Sequence, residues 1–146
     1  MNIHSDFRDF IISLQKKRVD FVIVGSFALA IHGHPRATGD IDIWIRPDEA
    51  NAGRLIDSLH DFGFSSLQVT KDDILSGKII QLGYPPVRID IITRLTGLTT
   101  DEIWDTRVEG PFGELNVYYI DRECFIKNKR AIGRNKDNAD IDSLLS

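Results

Sequence analysis

The chain reads as an α/β (α+β) protein, a mixed β-sheet flanked by helices. Three observations predict this. Short β-branched runs such as "DFVIV", "DIDIWI" and "VRIDIIT" alternate with segments of helical periodicity. Capping residues and glycines punctuate those segments at helix lengths. Two pairs of strand-like runs lie close together, around Gly83-Tyr84-Pro85-Pro86 and around Pro111-Phe112-Gly113, as hairpins require.

The elements follow in order. Residues 5–19 carry Phe7, Phe10, Ile11 and Leu14 at helical spacing, with Ser5 or Asp6 available as cap. Residues 20–24 form a strand that Gly25-Ser26 interrupts. "FALAIH" is a short helix and "GHPRATG" a loop. "DIDIWI", residues 40–45, alternates with period two and is a strand. Pro47 opens a helix to about His60, with Leu55, Ile56 and Leu59 inward. Residues 61–69 are a loop or short strand, and residues 70–76 a capped helical turn. "KIIQL" and "VRIDIIT" are strands, and residues 100–105 a short helix. "TRVEG" and "ELNVYYI" form a hairpin. Asp121 caps a helix to Ile132 that Gly133 ends. Residues 137–145 are a last helix. The order α-β-α-β-α-(α)-β-β-α-β-β-α-α implies layers around one sheet, with helices mostly on one side.

At 146 residues the chain has the length of one domain, and residues 1–146 are read as such. A hydrophobic fraction of 42% supports a proper core. The formal net charge of −4 excludes a surface that attracts nucleic acid everywhere, so any anion site must be local. One cysteine, Cys124, permits no intramolecular disulfide. It reads as a small buried hydrophobe in a protein of the reducing cytoplasm. No apolar run has the length of a signal peptide or a membrane span.

The acidic strand carries the first chemical signal. Side chains alternate along a strand, so Asp40, Asp42 and Trp44 share one face, while Ile41, Ile43 and Ile45 share the other. The two carboxylates lie about 6–7 Å apart at their Cα atoms. Anions this close repel unless a cation intervenes. Hard divalent ions such as Mg²⁺, or Mn²⁺, take carboxylate oxygens together with waters and substrate phosphates. In "VRIDIIT", Arg88 and Asp90 share a face. If that strand neighbours "DIDIWI", Asp90 completes a three-carboxylate cluster able to hold two metals ~4 Å apart. The alternative is that these acids face solvent in salt bridges with Arg36 or Arg88. Aspartate is a poor strand former, so three within apolar strands ask for a reason beyond solubility.

Strand, Gly25-Ser26, helix is the second signal. Glycine lets a backbone approach an anion, and helix-start N–H groups and the Ser26 hydroxyl can donate to it. A plain helix cap would look the same. The combination is more specific. "VGS", a thirteen-residue spacer, "DIDI" and a later "IDI" supply a phosphate cradle and three metal-type carboxylates.

This pattern resembles the DNA polymerase beta-type nucleotidyltransferase superfamily. The strings "GSFALAIHGHPRATGDIDI" and "IKNKRAIGRNKDNADIDSL" are similar to its bacterial branch that includes the AbiEii-type toxins of type IV toxin–antitoxin systems. The resemblance implies that Gly25 and Ser26 bind phosphate, that Asp40 and Asp42 bind metal, and that Asp90 is a third metal-site carboxylate that activates an acceptor hydroxyl. It implies an NTP as donor, an unidentified hydroxyl acceptor (protein, tRNA or small molecule) and an antitoxin as a partner. Many toxin-type members carry a further C-terminal domain, so acceptor specificity does not carry over.

Residues 121–136 hold six basic residues, Arg122, Lys127, Lys129, Arg130, Arg134 and Lys136, against two acids. The stripe can hold a triphosphate or a nucleic-acid acceptor, or be a solvated helix face. Lys127 is the preferred phosphate contact. Arg36, ahead of the acidic strand, touches phosphate or orients the acids, or makes a loop salt bridge. Trp44 and Tyr84 can stack on a base, with packing the main expectation for Trp44. His32 and His34 do not suggest zinc beside such hard oxygen donors. The leading reading is a Mg²⁺-dependent nucleotidyltransferase. A partner-binding module that keeps the fold, and a metal-dependent phosphodiesterase or nuclease, are the competing ones.

Overall fold

The computed structural model describes residues 3–35, 39–64, 68–84 and 87–145. Seven helices and six strands lie among the described residues, in the order expected from the sequence. One six-stranded sheet runs through the molecule, in the order β3-β4-β2-β1-β6-β5. Here β1 is Phe21–Val24, β2 Asp40–Ile45, β3 Ile80–Tyr84, β4 Val87–Ile92, β5 Val108–Phe112 and β6 Leu115–Tyr119. The β2–β4 and β1–β6 pairs are parallel and the other three antiparallel, so the sheet is mixed.

The helices are α1 (Ser5–Lys16), α2 (Gly25–Ile31), α3 (Glu49–Phe62), α4 (Lys71–Leu75), α5 (Thr100–Thr106), α6 (Arg122–Ile132) and α7 (Asn135–Leu145). All four apolar residues expected on the inner face of α1 are buried. So are Leu55 and Leu59 of α3, whereas Ile56 is half-buried at the margin. Every residue of β1 is buried, and β2 buries Ile41, Ile43 and Ile45 from one face and Trp44 from the other. Both faces of the sheet centre are therefore covered, against the expectation of helices mostly on one side. The helices form two groups, α3 with α1 and α4, and α6 with α5 and α7.

Several boundaries differ from the sequence reading for local reasons. His4, and neither Ser5 nor Asp6, caps α1, its Nδ1 accepting from the Asp6 N–H. The helix stops at Lys16 because Arg18 turns left-handed and sends Val19 into the core. Pro47 stays outside α3. Asp48 caps it by accepting from the Asn51 N–H, and left-handed Gly63 ends it. In the β5–β6 hairpin Pro111 and Phe112 belong to the strand, and Gly113-Glu114 make the turn. Proline is tolerated there because β5 is an edge strand with no neighbour to receive its missing N–H. Thr70 and Asp73 form the capping box expected of a capped turn.

Trp44 is fully buried, and its Nε1 donates to the Thr93 carbonyl at 3.2 Å. It is a packing residue, closed to base stacking. Cys124 is buried, as its lone occurrence suggested. The Asn51 side chain is fully buried and ties the far ends of β1 and β2. It accepts from the Asp20 N–H at 2.7 Å and donates to the Asp20 and Arg46 carbonyls, both at 2.9 Å. That clamp holds the antiparallel register which places the acids of β2 opposite the end of β1.

Candidate active site

The register of three adjacent strands assembles the site. On the β2–β4 side, Asp40 lies opposite Arg88 and Asp42 opposite Asp90. On the β1–β2 side, Asp42 lies opposite Val24, the last residue before Gly25. The neighbouring of the two acidic strands, on which the three-acid cluster depended, is thus present. Parallel pairing puts the side chains of facing residues on one face, so Asp42 and Asp90 stand side by side.

Arg88 is a counter-ion to Asp90 and Asp40. Its Nη2 donates to Asp40 Oδ2 at 2.9 Å and to Asp90 Oδ2 at 3.1 Å, and its Nε donates to Asp90 Oδ1 at 2.9 Å. Of the salt bridges foreseen as an alternative, the one to Arg88 is therefore real. Asp42 is not among its partners. Burial pushes the Asp42 carboxyl up to about 6, reinforced by the neighbouring charges of Asp90 and Asp40 and opposed by Lys129.

Gly25 begins α2 with φ 67°. A Cβ there would overlap the Asp42 carboxylate. The glycine thus serves two ends, a left-handed backbone and a close approach between the turn and the acid. Gly25→Ala is expected to destabilise the protein by about 2 kcal/mol, from left-handed strain and displacement of Asp42. Chemical denaturation measures this, and an unchanged midpoint would show that the turn relaxes freely.

These groups line one side of a cleft of about 500 Å³. The same cleft is lined by Lys129 of α6, Arg134 of the turn between α6 and α7, and Lys136 of α7, with Arg94 beside Gly77. Apolar walls come from Ile79, Ile92 and Ile132. Lys129 is largely buried, and its Nζ lies 3.3 Å from Asp137 and 3.7 Å from Asp140. Asp137 is fully buried and also accepts from Arg134 Nε at 2.7 Å. These hydrogen bonds to Arg134 and Lys129 hold its carboxyl down to about 2.

The structure places the remaining site residues as follows. Ser26 is half-buried in the first turn of α2, whose N-cap, Val24, offers no side-chain cap. Lys127 does not line the cleft. Its ammonium bonds Glu102 on α5, and two residues along a helix reverse direction, so it points away from Lys129. Arg36 falls outside the described residues. His32 is a tether whose Nε2 meets the Ile120 carbonyl at 2.8 Å. The Tyr84 side chain is exposed at the end of β3.

Sequence reasoning missed Lys129 as the cleft's inner cation. The available signal was in α7. Asp137 and Asp140 share the inward stripe with Ile141 and Leu144, and acids on a buried stripe require a buried cation.

Comparison with solved structures finds a similar fold. The lincosamide antibiotic adenylyltransferase LnuA, in its lincomycin-bound crystal structure, superposes with a TM-score of 0.57 at 15% identity. The match covers 99% of this chain and 97% of that one. The fold is nucleotidyltransferase-like. No protein-family model and no curated protein matches the sequence.

The donor chemistry suits a hard divalent cation only in part. Asp40 and Asp42 offer carboxylate oxygens from one strand face, and Mg²⁺ commonly takes one or two protein carboxylates and fills its other positions from water and phosphate. Both oxygens of Asp90 are engaged by Arg88. Among the described residues no group of three or more His, Cys, Asp or Glu side chains forms a ready metal cage. The fit is therefore to a cation that arrives with phosphate ligands of its own.

Proposed function

We propose that this protein is a divalent-metal-dependent nucleotidyltransferase. It moves an NMP unit from an NTP to an acceptor hydroxyl and releases pyrophosphate. The observation that carries this reading is the strand register. It puts Asp42 and Asp90 together beside Gly25, in one cleft with Lys129, Arg134 and Lys136.

The residues divide the work as their positions suggest. Gly25 and Ser26 receive the triphosphate tail at the start of α2. Lys129 and Arg134 add positive charge across the cleft, held in place by Asp137. Asp40 and Asp42 would hold Mg²⁺ or Mn²⁺, which when bound neutralises phosphate charge as the transferred group changes partner. Asp90 accepts the proton of the acceptor hydroxyl as its oxygen bonds the α-phosphorus and the bond to pyrophosphate breaks. Arg88 leaves Asp90 for this to happen, and incoming phosphate offers its guanidinium an alternative anion. Catalysis is chiefly positioning and charge neutralisation.

The acceptor is a hydroxyl on a protein, an RNA or a small molecule. The sequence resemblance to AbiEii-type proteins supports the first two and a toxin–antitoxin role with an antitoxin partner. The lincosamide acted on by the structural neighbour supports the third. Incubation with each α-phosphate-labelled NTP, Mg²⁺ and cell extract tests the proposal. Label should pass to one acceptor class in a metal-dependent way, and no transfer from any NTP would refute it.

One observation favours a second reading, a partner-binding module without catalysis. Arg88 already neutralises two of the three acids internally. Calorimetry separates the two, since a module would bind neither Mg²⁺ nor any NTP.

A further inference from the structure

At the opposite end of β1 from Gly25 lies a second cleft, of about 390 Å³, bounded by Arg18, Phe21, Trp104, Arg107 and Tyr118. Its lining carries Arg18 and Arg107 against one acid, Asp20, in a chain whose net charge is negative. Four arginines gather at its walls and margin, Arg18, Arg46, Arg54 and Arg107. Asp20 lies 3.7 Å from Arg46 and 3.9 Å from Arg54, and Asp48 lies 3.9 Å from Arg46. Asp20 and Asp48 thus pair with Arg46 and Arg54, and Glu109 is bonded to Asn116, whereas Arg18 and Arg107 form no ion pair among the described residues.

Arg107 is held rigidly. Its guanidinium lies 3.7 Å from the centroid of Trp104 and 4.4 Å from that of Tyr118, seated in the corner between two rings inclined at 61°. One arm, Nη1, donates to the Trp104 carbonyl and finishes α5. Its Nε is shut off from solvent and has no hydrogen-bond partner among the described residues. A helix-ending role uses one nitrogen and leaves the rest of the fork unexplained.

Arg18 is unusual in another way. It occupies the left-handed position after α1, at φ 57°, where glycine is the residue of least strain. Its backbone is fully used, the N–H donating to Gln15 and the carbonyl accepting from Arg54 Nε at 3.1 Å. Its exposed side chain makes no hydrogen bond or ion pair among the described residues. The fold alone would prefer glycine here, so the guanidinium is kept at the cost of backbone strain.

We propose that this cleft is a second, phosphate-binding site, in which Arg18 and Arg107 grip the phosphate of a nucleotide or of a nucleic-acid strand. Guanidinium forks match phosphate oxygens in pairs, and two uncompensated charges match a phosphate dianion or two successive phosphodiesters better than a single carboxylate. The site stands independently of the nucleotidyl-transfer reading, since it shares no residue with the acidic cleft.

The test measures binding of a fluorescein-labelled single-stranded RNA to the full chain by anisotropy, with unlabelled AMP as competitor. Arg107→Gln is expected to weaken RNA binding about tenfold and to lower its salt dependence by about one ion. Arg18→Gly should weaken it similarly while leaving the melting temperature unchanged or higher, because glycine relieves the left-handed strain. Lys127→Gln, the same charge change outside both clefts, should leave binding within about twofold. Displacement of the RNA by AMP at comparable concentration assigns the site to free nucleotides, and persistence of the complex assigns it to a strand. Three results would overturn the proposal. They are binding of neither probe by the wild type, RNA binding by Arg18→Gly equal to that of the wild type, and loss of binding by Arg18→Gly only in step with a lowered melting temperature, which would make Arg18 structural.

Discussion

Asp42→Asn is expected to reduce nucleotidyl transfer by on the order of a thousandfold or more while leaving the protein folded. The amide keeps the shape of the side chain opposite Val24 and removes the negative oxygen beside Asp90 and Gly25. It also relieves a cost. The Asp42 carboxyl titrates near 6 in the fold because it is buried among like charges. Its folded pKa is raised, so the folded state holds the proton more tightly than the unfolded state. The stability linked to that proton is fully present below the unfolded value near 4, and is lost as pH rises through about 6. In the presence of a chelator, Asp42→Asn should therefore melt above the wild type at neutral pH, with the gap narrowing toward pH 4. Wild-type turnover by the variant would refute the assigned role. Equal melting temperatures at neutral pH would show that Arg88 already offsets the repulsion.

Asp137→Ala is expected to be the most damaging substitution in the C-terminal helices, costing about 3 kcal/mol or roughly 10 °C in melting temperature. The carboxylate is fully buried and bonded to Lys129 and Arg134. Removing it strands Lys129 against α7 with Asp140 alone. The pH dependence runs opposite to that of Asp42. The folded pKa of Asp137 is depressed to about 2, so its stabilising contribution is present above the unfolded value near 4 and is lost as pH falls toward 2. Melts followed by circular dichroism from pH 7 to pH 2 should show the wild type declining toward the variant across that window. A variant that melts within a degree or two of the wild type would mean that Asp140 suffices to hold Lys129.

The two substitutions also show what the sequence made legible. The strands announced themselves by period and composition, and so did the acidic residues on one face of β2. The pairing of β2 with β4 was a condition that only the sheet order could meet. Once it is met, Asp90 and Asp42 follow from parallel register. Gly25 and the Asp121–Gly133 helix were readable because turn and cap chemistry are local. Lys129 was not, because its inward direction depends on α7 folding back after Gly133, a tertiary event. Lys127 carried the same charge two residues earlier and was taken by Glu102, a residue 25 positions away. Arg88 was seen as a neighbour of Asp90. That it spans both Asp40 and Asp90 depends on the same cross-strand register.

The cleft is built from two parts of unlike cohesion. The acids sit on β2 and β4, β2 being hydrogen-bonded on both sides within the sheet. The cations sit on a helical pair that turns at a left-handed glycine and is held by a few buried charges. Amide hydrogen exchange should resolve these as separate cooperative units. β2 protons would exchange only on global unfolding, and α7 protons through a smaller, earlier opening. A ligand that spans the cleft would slow exchange in α7 by holding its local opening shut, and would slow β2 only through the raised cost of global unfolding. Occupancy of this site would thus be written at the C-terminal end of the chain, far in sequence from the acids themselves.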